Sequence, residues 1–165
     1  MLVNIIVGGY MQSDVQSLLH HTDPSVNIVK VEEVYYPYKR ISYELEVGKQ
    51  VNKKFMKKAD CIIDLVQGSV AEGEGTPEYE ELSVNPEQML EVCVQNEDAV
   101  RKGHDFVLKL FLNKAKVLRV PRITVTSEEL FYKNFFIVHC KDREALDYFL
   151  LMDSMDGGLS ILNYQ

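Results

Sequence analysis

The sequence predicts an α+β fold: mainly antiparallel sheets, each packed by a helix, arranged as two similar halves. Three observations predict it. Short apolar runs with period two recur along the chain, as half-buried strands require. Spacing of three or four residues is confined to one short segment near the start and one long segment past the middle, which limits the helices to a few. A strand ending in aspartate and followed by glycine four residues later occurs twice, at Asp64 and Gly68 and at Asp153 and Gly157, which marks two hairpins.

The elements follow in order. Leu2 to Val7 is a β-type run closed by Gly8-Gly9. Ser13, with Gln16 three residues on, has the form of a capping box, and Val15, Leu18 and Leu19 share one face of a short helix that Asp23-Pro24 ends. From Asn27 the period turns to β through Val29, Val31, Tyr36, Tyr38, Ile41, Tyr43, Leu45 and Val47. Pro37 in that stretch implies an edge or a bulge, because proline has no N–H to give a ladder. Gly48-Lys49 is expected to turn the chain into a second arm, Val51 to Val70, with Cys61-Ile62-Ile63 as its apolar centre. Glu72 to Glu81 holds two glycines, a proline and five glutamates and is expected to be an exposed loop at the seam between halves spanning 1–75 and 76–165.

Asn85-Pro86-Glu87-Gln88 combines an asparagine cap, proline in the first turn and glutamine at the capping-box position, so a helix is expected to start there. Its stripe, Met89, Cys93, Val100, Gly103, Val107, Leu110 and Lys114, runs to about residue 116, with Asn96 able to cap a second helix after a break. Val117 to Val125, interrupted by Pro121, and Leu130 to Cys140 are expected as two strands. Tyr148 to Met152 and Leu159 to Leu162 flank a hairpin turn containing Asp156-Gly157.

The halves align as an internal repeat. Glu32-Glu33-Val34-Tyr35-Tyr36 parallels Glu128-Glu129-Leu130-Phe131-Tyr132, and Cys61-Ile62-Ile63-Asp64 parallels Leu150-Leu151-Met152-Asp153. Each helix is expected to bury its apolar face on the ribbon of its own half, with Asp64 and Asp153 capping turns. The hairpin Ile63-Asp64-Leu65-Val66-Gln67-Gly68-Ser69-Val70 resembles the small α+β units of PepSY and related cystatin-like domains over about a dozen motif residues per half. The resemblance implies a helix-on-sheet unit with an inhibitory or interaction role. Many members of those families are exported or membrane-tethered, whereas this chain opens without a basic leader.

Composition narrows the function classes. The chain has 165 residues, 18 Lys+Arg against 25 Asp+Glu and a formal charge of −7, which argues against general binding of a phosphate backbone. No apolar run approaches the ~18 residues of a membrane span, so a cytoplasmic protein without membrane association is expected. Cys61, Cys93 and Cys140 are an odd number without a Cys-x-x-Cys pair and are expected as reduced, buried thiols.

No catalytic or metal-binding constellation emerges, and no cofactor is expected. His139 and Cys140 are adjacent on a strand and point to opposite faces. His20 and His21 suit a helix C-terminus, and His104 has no second ligand four residues away. The glutamates 72, 74, 78, 80 and 81 lack the aspartate-glycine spacing of a calcium loop. Gly-rich phosphate loops and a Gly-x-Ser-x-Gly elbow are absent.

The uneven feature is charge. Residues 39 to 58 carry a net +5, so the remaining residues carry −12. Tyrosines lie directly beside this basic hairpin, a pairing that suits recognition of an acidic partner. The expected contact surface is Tyr35, Tyr36, Tyr38, Lys53, Lys54 and Lys57, serving a non-enzymatic protein-interaction or regulatory module that binds a protein partner or a second copy. The competing expectation is a small enzyme or ligand-binding protein with a cleft between helix and curved sheet. Asp64 and Asp153 would be its acids and His104 or His139 its base.

Overall fold

The structure is a computed structural model. It describes the chain except residues 51, 52, 76, 116–118 and 163–165, and it gives backbone only for 49, 50, 53, 54 and 115. The fold is α+β. Among the described residues, eight strands, β1 (Leu2–Ile6), β2 (Asn27–Gln50), β3 (Lys53–Asp64), β4 (Val70–Glu72), β5 (Tyr79–Ser83), β6 (Arg122–Lys141), β7 (Asp147–Asp153) and β8 (Leu159–Leu162), accompany two α-helices, α1 (Val15–Thr22) and α2 (Asn96–Ala115). The strands form one mixed, mostly antiparallel sheet in the order β4-β3-β2-β6-β1-β5, with β7 and β8 continuing from β6. A parallel pairing joins β1 to β6, at Ile5 and Tyr132.

Two compact units divide the chain, and each takes segments from either side of residue 75. The first comprises Met1–Tyr36, Glu78–Leu90 and Tyr132–Gln165, and the second Pro37–Pro77 and Glu91–Phe131. In the second unit, β2 places Ile41, Tyr43 and Leu45 on one face, and β3 adds Cys61 and Ile63 at the matching register. Helix α2 closes that face with Ala99, Gly103, Val107 and Phe111, a stripe at four-residue spacing. In the first unit, Val15 and Leu19 of α1 pack on Phe136, Val138, Cys140 and Met152. A second cluster there joins Val3, Ile5, Tyr35, Val84 and Tyr132.

Several expectations change. Helix α1 covers the β6–β7 ribbon and α2 the β2–β3 ribbon, so neither helix covers the ribbon of its own half. The cap of the first helical segment is not Ser13: Asp14 accepts a 2.8 Å bond from the Met11 N–H, one turn earlier. Strand β2 runs through Pro37 and is interior to the sheet. Pro37 stands one residue outside the β2–β3 ladder, which opens with Tyr38 and Asp64, so its missing N–H leaves no gap there. Gly48 pairs with Phe55 beside a register shift, and the ladder continues through Lys49 and Gln50, so Gly48-Lys49 makes no turn; Val51 and Asn52 lie outside the described residues. The acidic stretch supplies β5, which is held by the backbone of β1 from Leu2 opposite Ser83 to Ile6 opposite Tyr79. Backbone hydrogen bonds form a ladder there where apolar content is low.

At Asn85 the cap forms as expected, accepting a 3.1 Å bond from the Glu87 N–H, but only a short 3₁₀ turn, Pro86–Gln88, follows. Met89 is extended and bridges to Tyr35, and Leu90 N–H donates to the Tyr35 carbonyl. Tertiary pairing thus takes the backbone that a helix would have used. Strand β6 is continuous where two strands were expected.

Candidate functional site

The two turn aspartates act as turn caps. Asp64 Oδ1 accepts from the N–H groups of Val66 and Gln67, both at 2.8 Å, and Asp153 Oδ1 accepts from Met155 N–H at 2.8 Å. Gly68 (φ +81°) and Gly157 (φ +73°) return their N–H groups to the carbonyls of Asp64 and Asp153 at 2.9 Å, in the left-handed backbone that glycine tolerates. Asp153 also pairs with Lys133 Nζ at 2.6 Å. His139 stacks on Phe149 with ring centres 4.6 Å apart and lies 2.8 Å from Asp147, while Cys140 is buried on the opposite face. His104 faces solvent beside Asp105, and His20 Nε2 lies 3.3 Å from the Val26 carbonyl. Among the described residues, no group of three or more His, Cys, Asp or Glu could hold a metal ion, and no helix is long and apolar enough to cross a membrane.

The expected contact residues have different fates. Tyr35 is only 5% exposed, and its hydroxyl donates to Glu33 at 3.1 Å. Burial, then the Glu33 carboxylate, pushes its hydroxyl up to about 12. Tyr36 is half-buried, edge-on to Phe135 with centres 6.0 Å apart. Tyr38 is half-buried and stacked on Phe131 at 5.6 Å. Tyr43 is a core residue whose hydroxyl donates to the Val100 carbonyl at 2.8 Å. These tyrosines are largely packing groups, as the alternation of β2 dictates. The side chains of Lys53 and Lys54 lie outside the described residues, which place only their backbone, in β3.

Two of the hairpin cations are consumed internally. Arg40, 8% exposed, donates to Asp60 at 2.5 Å and to the Gly75 carbonyl at 2.6 Å. Burial raises the Asp60 carboxyl, but hydrogen bonds from Ser42 and Arg40 and the Arg40 charge more than offset it, leaving it below the usual carboxylate range. Lys39 pairs with Asn96 and, at 3.4 Å, with Glu128. Lys57 and Lys58 are exposed and hold no ion pair among the described residues.

These two lysines border a groove of about 470 Å³ in the second unit. Lys57, Lys58, Ala59 and Asp60 of β3 form one wall, and Val107, Leu110, Phe111 and Lys114 of α2 the other. Glu72 and Gly73, where β4 stops, close one end, with Lys114 3.6 Å from Glu72. The floor is apolar, and the rim carries Lys57, Lys58 and Lys114 together with Asp60 and Glu72. The lysine run marks this rim in the sequence; Val107, Leu110 and Lys114 are also visible there as a helical stripe, but their meeting with β3 depends on tertiary packing.

The cysteines divide as well. Cys61 and Cys140 are buried and Cys93 is exposed, on an irregular link, residues 91 to 95, whose Cys93 and Val94 N–H groups both donate to the Leu65 carbonyl. Comparison of the chain with known protein families, curated proteins and solved structures finds no match to any of them.

Proposed function

We propose that the chain is a non-enzymatic protein-interaction or regulatory module of the cytoplasm that engages an acidic protein partner, or a second copy, through its basic hairpin. The observation that carries this reading is the pair of exposed cations Lys57 and Lys58, in no ion pair among the described residues, beside an apolar groove, in a chain whose net charge is −7. A local cationic surface on an acidic molecule favours an oppositely charged protein contact over general polyanion binding. The turn roles of Asp64 and Asp153 support a fold that uses its carboxylates structurally. The matching Asp-x-x-x-Gly turns also support two similar ribbons related by duplication, each covered by a helix as in PepSY and cystatin-like units, here the helix of the other half.

The test reverses the charge. Lys53→Glu with Lys57→Glu should weaken salt-sensitive association, seen by sedimentation velocity and by affinity capture from the native host, while the circular dichroism spectrum stays the same. Unchanged sedimentation and capture would remove the proposal. A second reading, a ligand-binding protein with a cleft between helix and sheet, is favoured by the groove between α2 and β3.

A further inference from the structure

Strand β4 pairs with β3 only at Cys61, Ile62 and Ile63, although β3 extends back to Lys53. In the sheet order β4 is the neighbour of β3 on that side, so among the described residues the earlier part of β3 has no strand beside it. The orientation of its backbone follows from one bond. Asp60 accepts from Gly73 N–H at 2.9 Å, so the Asp60 carbonyl faces the open side. In a strand the N–H and C=O of one residue share an edge and alternate with those of the next. Lys58 and Met56 therefore also present both groups outward, while Lys57 and Ala59 bond inward to β2.

The groove occupies the line along which β4 would continue. Its walls are this β3 edge and the α2 side chains Val107, Leu110 and Phe111. We infer that the slot beyond β4 accepts an extended segment of a partner protein as an added strand, one that alternates acidic with apolar residues. The idea rests on the interaction-module reading and specifies its chemistry. Backbone pairing at Met56 and Lys58 supplies affinity, as in strand addition to sheet edges elsewhere. The inward side chains of the added strand cover Val107, Leu110 and Phe111 on the face that Lys57 shares, and its outward carboxylates meet Lys58 on the opposite face. Five residues from Met56 to Asp60 offer a contact about 16 Å long.

Lysines on an edge strand also serve to repel unwanted strands. Exposed Phe55 (43%) and Met56 (46%) on the same edge are poor guards, since apolar side chains invite association. Their presence beside the lysines favours a selective edge over a blocked one.

The experiment titrates the full chain with a fluorescein-labelled, end-capped heptapeptide alternating glutamate and valine. Saturable binding with a Kd below about 100 µM is expected, weakening about tenfold or more as salt rises from about 50 to 500 mM. The counterpart alternating lysine and valine should not bind. Two further peptides carry N-methyl groups on alternate amides, one set per peptide. One of them should lose binding at least tenfold and the other keep it, because only one set faces β3. Lys58→Pro removes an outward N–H that the β2–β3 ladder does not use and should abolish binding, whereas Lys58→Ala should weaken it only in part.

If neither unmodified peptide binds, the edge is guarded and the inference is overturned. It is equally overturned if both N-methylated peptides bind like the parent. In either case, loss of native association on Lys53→Glu with Lys57→Glu would leave the module reading standing. If that double variant changes nothing, the module reading itself has failed.

Discussion

Replacing Gly103 by alanine sets helix propensity against packing. In an isolated helix the change stabilises by about 1 kcal/mol. Here Gly103 is buried, and an added Cβ would lie 2.8 Å from Cys61 Sγ and closer still to the Tyr43 hydroxyl. Tyr43 has nowhere to go: it is 1% exposed, and its hydroxyl is anchored to the Val100 carbonyl at 2.8 Å. Either α2 lifts from the sheet, at an overpacking cost of about 1–3 kcal/mol, or the tyrosine also loses its bond, leaving a buried hydroxyl unsatisfied at a further 1–3 kcal/mol. With the gain in propensity subtracted, and both costs incurred, the net loss is about 1–5 kcal/mol, a large part of a typical stability. Urea unfolding followed by circular dichroism should show the midpoint falling with the slope unchanged. In the Tyr43→Phe background, which removes the oxygen that the methyl meets, Gly103→Ala should cost at least about 1 kcal/mol less. A variant that gains about 1 kcal/mol would show that α2 has room over Tyr43, and would refute the packing.

Two other outcomes follow from buried groups. Burial, with Asp60 adding to it, raises the Cys61 thiol to about 11, and burial raises Cys140 as well. Iodoacetamide near pH 8 should therefore label Cys93 alone in the native protein and all three cysteines in denaturant; mass spectrometry finding label on Cys61 without denaturant would contradict the core assignment. Tyr35 titrates near 12 against an ordinary 10.0, and burial raises Tyr43 too. Folding holds both in their protonated form. The stability that Tyr35 contributes in this way is fully present below about pH 10 and is lost as pH rises through about 12, and Tyr43 acts in the same direction. The urea midpoint should fall across that window, by up to about 1.4 kcal/mol per pH unit for each tyrosine, and a flat profile would place these hydroxyls in solvent.

The hairpins were legible because their turn chemistry is local: an aspartate that accepts from the next N–H groups and a glycine at positive φ are visible in five consecutive residues. The onset of α2 was legible only as the second of two starts: Asn96, able to cap a helix after a break, is where α2 begins. Asn85 and Pro86 carry a good start signal, yet Met89 and Leu90 bind Tyr35, a partner that sequence periodicity does not reveal. Ala99 and Phe111, half of the buried stripe of α2, were also missed. Alanine carries little hydrophobic signal, and Phe111 adjoins Leu110 and Leu112, which blurs the stripe. At the candidate site, the lysines and the apolar residues of α2 were each visible. The groove joining them depends on where β4 stops, and that length is set by its ladder with Cys61 to Ile63.

The strands that looked broken explain how the two cores are assembled. Strand β2 begins in the first unit and continues into the second, and β6 does the reverse. Each helix then finds its apolar partner more than thirty positions away in sequence: α2 meets β3 after the acidic stretch, and α1 meets β6 and β7 from the far end of the chain. Such pairings form late, because closing long loops costs entropy before any contact repays it. During that interval the β3 edge is open to wrong partners. Lysines there repel similar basic strands while folding proceeds, and under the proposed function the same charges would afterwards select an acidic one. Protection during folding and the proposed recognition would thus place the same demand on Lys57 and Lys58, while exposed Phe55 and Met56 serve the second and not the first.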